Sequence, residues 1–311
     1  MSSVDVVVVS YCYNQWIAHA LGGIAAQSLQ PRSVVVSDDC SPPPHGAQFL
    51  EMAGQFPWAH FVQTPRNLGT VEHVRLRVSQ IAATYYLLVS ADDLLIDKDF
   101  LRDAVAILDN YPQVVAVSGQ VHQVDGQGRL RAAAPVLSSE PYTLIPGPQM
   151  RAALALENVV PAVCTVVRTA VHELVPALPI ANPLTHDWLQ WYLLARKGDF
   201  ARINRPVMHY RVHEASLSQS AQRNRRMAEQ GDEGYASLLL QPDLSPEERA
   251  ELENGRIRWN VRHSLARELW RPLAKSPLKQ ATWIALAETL AERGSSAAAR
   301  LHKRLRPKLD A

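Results

Sequence analysis

The chain has 311 residues, of which 47% are hydrophobic and 20% charged, and a formal net charge of +2. That length suits one large domain or a domain with an appendage, and the composition is that of a soluble globular protein rather than a disordered or fibrous one. Three cysteines (Cys12, Cys40, Cys164) form no spaced pair, so neither a zinc site nor a disulfide framework is expected, and a reducing, cytoplasmic setting is. No basic segment precedes the first apolar run, which is only a strand's length, so no signal peptide is expected. The most apolar later stretch, 159–167, is interrupted by Pro161 and closed by Arg168, which argues against a membrane span.

In chain order, residues 4–9 are a β run ending in Ser10-Tyr11-Cys12-Tyr13-Asn14. Residues 15–29 place Ile17, Leu21, Ile24 and Ala25 on one helical face. A strand at 34–36 ends in Asp38-Asp39, and a loop closes on Pro42-Pro43-Pro44. A short helix is expected at 49–56, a strand at 60–63, a turn at Arg66-Asn67-Leu68-Gly69 and a helix at 71–82. Five apolar residues, Tyr85 to Val89, then run into Ser90-Ala91-Asp92-Asp93. Asp97 is expected to cap a helix carrying Phe100, Leu101, Ala104, Val105 and Leu108, with a strand at 114–117 behind it. Strand and helix alternating in this way predict an α/β fold: a mostly parallel, Rossmann-like sheet flanked by helices.

From Ser245 the texture changes. Ser245-Pro246-Glu247-Glu248 reads as a capping box with proline at the first helical position, followed by Ile257, Val261, Leu265 and Leu269 at four-residue spacing. A second amphipathic helix carries Ile284, Ala287, Leu290 and Ala291 and stops at Gly294. Residues 249–311 hold a surplus of eight positive charges, and the remaining 248 residues a deficit of six. The division expected is therefore a catalytic domain at 1–220 and a helical, basic C-terminal extension at 221–311.

The acid pairs stand where apolar strands end, at the rim where open α/β sheets bind ligands. Adjacent carboxylates repel, and are tolerable in water, as turn formers, or around a cation. Asp187 heads an apolar helical stretch, where a carboxylate can serve as a helix cap. A dinucleotide enzyme would need G-x-G-x-x-G after a strand, and a nucleotidyltransferase a glycine-rich basic loop after the first strand. Neither is present.

Seven motifs over roughly 4–218 resemble family-2 glycosyltransferases of the inverting kind, with the nucleotide-diphospho-sugar transferase fold. Val7-Val8-Val9-Ser10-Tyr11 with Asn14 is similar to the family's first strand and turn, and Ala26-Gln27-Ser28-Leu29 to its Q-S/T helix end. Val36-Ser37-Asp38-Asp39-Cys40-Ser41 resembles V-D-D-G-S, whose second aspartate contacts the base. Asn67-Leu68-Gly69 resembles N-x-G, and Ser90-Ala91-Asp92-Asp93 resembles the D-x-D-D metal motif. His186-Asp187-Trp188 with Leu193 matches the E-D-W/Y segment, and Tyr210-Arg211-Val212-His213 with Ser216-Leu217-Ser218 the Y-R-x-H-x-x-S-x-S ending. Ser90 replaces the usual first aspartate of the metal motif, and Cys40 a common glycine.

The resemblance implies that Asp187 is the catalytic base. Ser10, Tyr11, Asn14, Asp39, Asn67, Ser90, Asp92, Arg211 and His213 would hold the donor, Asp92 with Asp93 a Mg²⁺ or Mn²⁺ ion, and Trp188 and Trp191 the acceptor sugar. Implied partners are a nucleotide-diphospho-sugar, UDP- or dTDP-linked by preference, and a saccharide or lipid-linked acceptor. A non-catalytic binding module of the same fold is the alternative, suggested by Ser90.

The segment 300–308 carries five basic residues with Leu301 and Leu305 one turn apart. Each charge near an anionic bilayer gains about 1 kcal/mol, so peripheral contact with the inner membrane face is expected. Nucleic acid is not, since no aromatic residue is interleaved for base stacking. Full-length protein should co-sediment with anionic liposomes at low salt and be released at high salt, whereas a truncation ending at Gly294 should stay in the supernatant. Equal behaviour of the two would remove the tail's membrane role.

Overall fold

The computed structural model describes residues 2–172, 184–214, 216 and 226–262. The expected helix at 284–291 and the basic segment 300–308 lie outside them, as do Leu217, Ser218, Leu265 and Leu269. The chain divides into two compact units, one of residues 1–151 and 158–219, the other of 152–157 and 220–311.

The first unit is built on a sheet of ten strands: β1 (Val4–Ser10), β2 (Ser33–Asp38), β3 (His60–Gln63), β4 (Tyr85–Ser90), β5 (Leu94–Leu95), β6 (Val114–Val124), β7 (Leu130–Ala132), β8 (Tyr142–Ile145), β9 (Thr165–Arg168) and β10 (Asp199–Arg211). The order is β3-β2-β1-β4-β9-β6-β10-β5, with β7 on β6 and β8 on β10. The four strands from β3 to β4 are parallel, as are β6 and β10, while β9 runs antiparallel between β4 and β6. Strands buried on both faces need no alternation, which is why Val6 to Val8 and Tyr85 to Leu88 read as continuous apolar runs.

Six helices belong wholly to this unit: α1 (Asn14–Ala25), α2 (His45–Met52), α3 (Thr70–Val78), α4 (Phe100–Asn110), α6 (Thr169–His172) and α7 (His186–Ala195); α5 (Gly147–Leu154) runs from it into the second. The apolar stripes of α1 and α4 (Ile17 and Leu21, Phe100 and Leu101) join Phe49 and Leu87 in one core. Register then does the positioning. Ser10 pairs with Asp38 and Val9 with Ser90, so three strands end at one level with polar tips.

Several elements differ from expectation. Helix α1 ends at Ala25, and Gln27 is buried, bonding the Asp97 carbonyl through Nε2 (2.8 Å) and accepting the Leu101 N–H (3.1 Å). Asp99 occupies the N-cap of α4; Asp97 instead pairs with Arg205. Arg211, expected on a late loop, closes the 13-residue strand β10, whose register shifts around Pro206 hid it from pattern reading.

In the second unit α8 (Arg226–Leu239) packs on α9 (Pro246–Arg262). The capping box forms: Ser245 N donates to Glu248 Oε2 at 2.8 Å and Glu248 N to Ser245 Oγ at 3.1 Å. Arg256 grips both Asp232 oxygens, at 2.6 and 2.7 Å.

Gly198 leads into β10 where a Cβ would lie 2.4 Å from the Gln113 carbonyl oxygen, whereas a Cβ on Gly22 would meet nothing within 4 Å. Gly198→Ala should lower stability by about 1–3 kcal/mol, and Gly22→Ala should raise it by roughly 0.5–1 kcal/mol. Urea midpoints of the two variants check the pair.

Candidate functional site

The tip of β4 carries the acidic pair. Beyond Ser90 the chain turns, with Asp93 N donating to Ser90 O at 3.0 Å. Ser90 Oγ donates to Asp92 Oδ1, and His213 Nε2 lies 3.0 Å from Asp92 Oδ2. The His213 ring packs on both Trp16 (centroids 4.6 Å apart) and Tyr13 (5.2 Å), which touch one another at the start of α1 (5.6 Å). Burial, with the Asp92 charge, pushes the Tyr13 hydroxyl up to about 12.

Asp93 turns the other way. It is 1% exposed, its Oδ1 accepts the Arg211 N–H at 2.8 Å, and its Oδ2 has no hydrogen-bond partner among the described residues. Burial, and then the neighbouring Asp92 charge, holds its carboxyl well above the usual range. Asp92 and Asp93, the pair expected to hold the metal, thus point different ways: Asp93 bonds the Arg211 N–H, whereas Asp92 faces His213. A carboxylate oxygen suits Mg²⁺ and Mn²⁺ alike, while an imidazole nitrogen suits the softer Mn²⁺ of the two. Among the described residues no cluster of three or more His, Cys, Asp or Glu could hold a metal alone. Two protein ligands fit an ion bound chiefly through a diphosphate and water.

Arg211, expected among the donor-binding residues, turns its guanidinium onto backbone carbonyls. Its Nε donates to the Asp92 carbonyl (2.8 Å), its Nη1 to those of Asp125 and Gly126 (both 3.1 Å), and its guanidinium lies 5.3 Å over the Trp16 ring. It fixes the acidic turn in place.

At the tips of β1 and β2 the expected base-binding groups gather. Asp39 is buried, its Oδ1 accepting from Thr64 Oγ1 (3.0 Å) and Leu68 N (2.9 Å), its Oδ2 from Gly69 N (2.8 Å). It pins the turn holding exposed Asn67, where Gly69 has φ 77°. Below, Ser37 Oγ accepts from Arg77 Nε (2.7 Å) and lies 2.6 Å from His73 Nε2, tying β2 to α3. Two half-buried residues of this rim, Cys12 and Cys40, hold left-handed backbone, φ 63° and 57°. Ser10 Oγ and Asn14 Oδ1 are buried without hydrogen-bond partners among the described residues, while Tyr11 is 45% exposed.

A cavity of 310 Å³ opens beside the β4 tip, lined by Val71 and Val74 of α3, Leu88 and Ser90 of β4, Tyr210 of β10, and one face of α7. That face carries His186, Asp187, Gln190 and Trp191. Thr185 is the N-cap of α7, so Asp187 stands in the first turn rather than at the cap. Burial raises its carboxyl's proton affinity, against the lowering bonds from Trp188 N and from Asn158 Nδ2, which lies 3.0 Å from Oδ2. Trp191 lines the cavity, but Trp188 is 3% exposed and does not; it packs. Sequence reasoning missed Trp16, Tyr13, Gln190 and the role of His186. The aromatic pair beside Asn14 was the signal available for the first two.

Residues 5–169, over half of the chain, match the model of Glycosyl transferase family 2. No curated protein matches the sequence. Among solved structures the chain is similar to TarS residues 1–349 of S. aureus, determined in complex with UDP-GlcNAc, at TM-score 0.64 and 18% identity over 93% of this chain and 80% of that one. It is also similar to the mannosyltransferase PcManGT from Pyrobaculum calidifontis, in complex with GDP-Man and Mn²⁺, at TM-score 0.57 and 18% identity over 97% and 84%. These likenesses show the nucleotide-diphospho-sugar transferase fold.

The raised proton affinity of Asp187 has a stability consequence. Between the ordinary carboxylate value and the raised one, the folded chain binds more protons than the unfolded chain, so this contribution is present in acid and lost as pH rises. Asp187→Asn should therefore raise the melting midpoint at pH 7.5, the gain shrinking towards pH 4. A lower midpoint at pH 7.5 would show that the carboxylate is structural.

Proposed function

The chain belongs to glycosyl transferase family 2, and from this we propose that it moves a sugar from a nucleotide-diphospho-sugar to a hydroxyl of a saccharide or lipid-linked acceptor, with inversion at the anomeric carbon. The observation that carries the reading is one cavity lined by both Asp187 and Ser90: a carboxylate of raised proton affinity beside the strand tip that carries Asp92. UDP- and dTDP-sugars remain the favoured donors.

Asp187 takes the proton of the acceptor hydroxyl as that oxygen attacks the anomeric carbon from the face opposite the diphosphate. One displacement suffices, so no second carboxylate nucleophile is required. Asp92 and His213 would hold Mg²⁺ or Mn²⁺, which when bound neutralises charge developing on the leaving diphosphate. Asp93 and Arg211 keep Asp92 at its height through the bonds above, and the edge and tilted contacts of Tyr13 and Trp16 orient His213. The unpartnered Ser10 and Asn14 oxygens and the exposed Tyr11 ring are the groups left for the nucleoside, with Asp39 shaping their rim. Contact of the basic tail with membrane also remains a proposal; among the described residues no helix is long and apolar enough to cross a bilayer.

Purified protein with UDP-sugars and Mn²⁺ should release UDP, and chelator should stop it; Asp92→Asn should lose both turnover and metal-dependent nucleotide binding. Asp187→Asn should cut turnover by on the order of a hundredfold while donor binding stays near normal. Equal loss of donor affinity would make Asp187 part of the donor pocket. Nucleotide binding with no turnover on any acceptor or water would favour the binding-module alternative.

A further inference from the structure

We propose that Asn158 is the positioning residue of the base: its side-chain amide grips the Asp187 carboxylate and holds it in one orientation for the acceptor hydroxyl, a role that rests on the transferase reading above. Asn158 Nδ2 donates to Asp187 Oδ2 at 3.0 Å, across 29 residues of chain. Its own Oδ1 accepts the Val160 N–H at 3.3 Å. That second bond decides which end of the amide meets the base, because a backbone N–H only donates and so takes the oxygen. Asn158 therefore stands against Asp187 with a donor rather than an acceptor.

The segment that delivers the amide is itself tied down. Val160 is buried, and the carbonyl of Pro161 accepts Thr165 Oγ1 at 2.7 Å. Ala162, Val163 and Thr165 then line the same cavity as Asp187. Asn158 thus opens the stretch that builds part of that cavity's wall, and a shift of the wall is a shift of the donor on the base.

A carboxylate turns easily about its Cβ–Cγ bond, whose wells are broad and roughly two-fold. Backbone N–H groups of the first turn of α7 bond Asp187, and among the described residues Asn158 is the side chain that does so. The amide keeps the base ionised as well as aimed: burial pushes its proton affinity up, and the Asn158 donor pulls it down. Other titratable groups stand near. His186 adjoins it on α7, Tyr86 of β4 and Tyr210 of β10 line the cavity, and Glu72 and Arg75 of α3 and His172 of α6 act on His186. Asp187 itself responds to burial and to its hydrogen bonds. A base oriented by a third group is the arrangement by which positioned bases act in other enzymes.

Two measurements on the full chain test this. Melting midpoints at pH 4 and 7.5 are compared for the unaltered protein, Asn158→Ala, Asp187→Asn and the double variant. Without the amide the proton affinity of Asp187 in the folded chain rises further, and a raised carboxyl is destabilising once pH exceeds its ordinary range. Asn158→Ala should therefore lower the midpoint more at pH 7.5 than at pH 4. That difference should vanish on the Asp187→Asn background, since contributions from His186 and the other neighbours cancel in the cycle. A difference that persists without Asp187 overturns the inference.

The second measurement is nucleoside diphosphate release in MnCl₂ from UDP-glucose, UDP-N-acetylglucosamine, dTDP-glucose and GDP-mannose, with water as acceptor. Asn158→Ala should lower kcat at pH 7 on the order of tenfold, leave the donor KM within about twofold and move the acid limb of kcat/KM to higher pH. Asn158→Asp keeps an oxygen for the Val160 N–H and loses the donor, so its acid limb should move the same way. An unshifted limb in Asn158→Asp would mean that the residue only shapes its loop, and overturns the inference while the transferase reading stands. No release from any donor by the unaltered protein, with the melting cycle intact, overturns the transferase reading and the aiming role with it.

Discussion

The Asp93 carboxylate accepts the Arg211 backbone N–H, and Arg211 returns its guanidinium to the Asp92 carbonyl, across separations of 118 and 119 residues. These bonds join the tip of β4 to the end of β10, and the rest of the site depends on that join. It sets the height of Asp92, brings His213 to it two residues after β10 ends, and lays the Arg211 guanidinium over Trp16. A charged donor bonded to three backbone carbonyls is well satisfied, so this arrangement holds a single geometry. The acidic turn is thereby shaped before any ligand arrives, which lowers the ordering cost of binding.

How far the sequence could be read followed from the range of the forces involved. The first four strands and helices α1, α3 and α4 were legible because their apolar spacing is local, and because parallel strands buried on both faces leave uninterrupted runs such as Tyr85 to Val89. The capping box at Ser245 was legible for the same reason. Strand β10 was not: Arg202, Asn204, Arg205 and Pro206 break its alternation, and pairing with β6 on one side and β5 and β8 on the other overrides its weak propensity. Of the site, residue identity was readable and orientation was not. Nothing in Asp92-Asp93 says which carboxylate turns inward; that is decided by a donor arriving from Arg211.

The electrostatics of the two acid-bearing regions differ in kind. Asp39 spends both oxygens on backbone and hydroxyl donors, and so acts as a mechanical pin for the Asn67 turn. Asp93 and Asp187 are instead held where burial disfavours their charge. Such groups are destabilising in the folded state and concentrate where chemistry is done.

Cysteine placement at the donor rim has a practical consequence. Cys12 and Cys40 follow paired strand tips, half-buried, in left-handed backbone that most side chains avoid. Cys164 is fully buried, its thiol pushed up to about 12, and so is shielded from reagents. A maleimide dye would accordingly attach at the tips of β1 and β2, the rim proposed above for the nucleoside, and leave the core untouched. The chain carries its own attachment points for an optical reporter of occupancy, without any engineered residue.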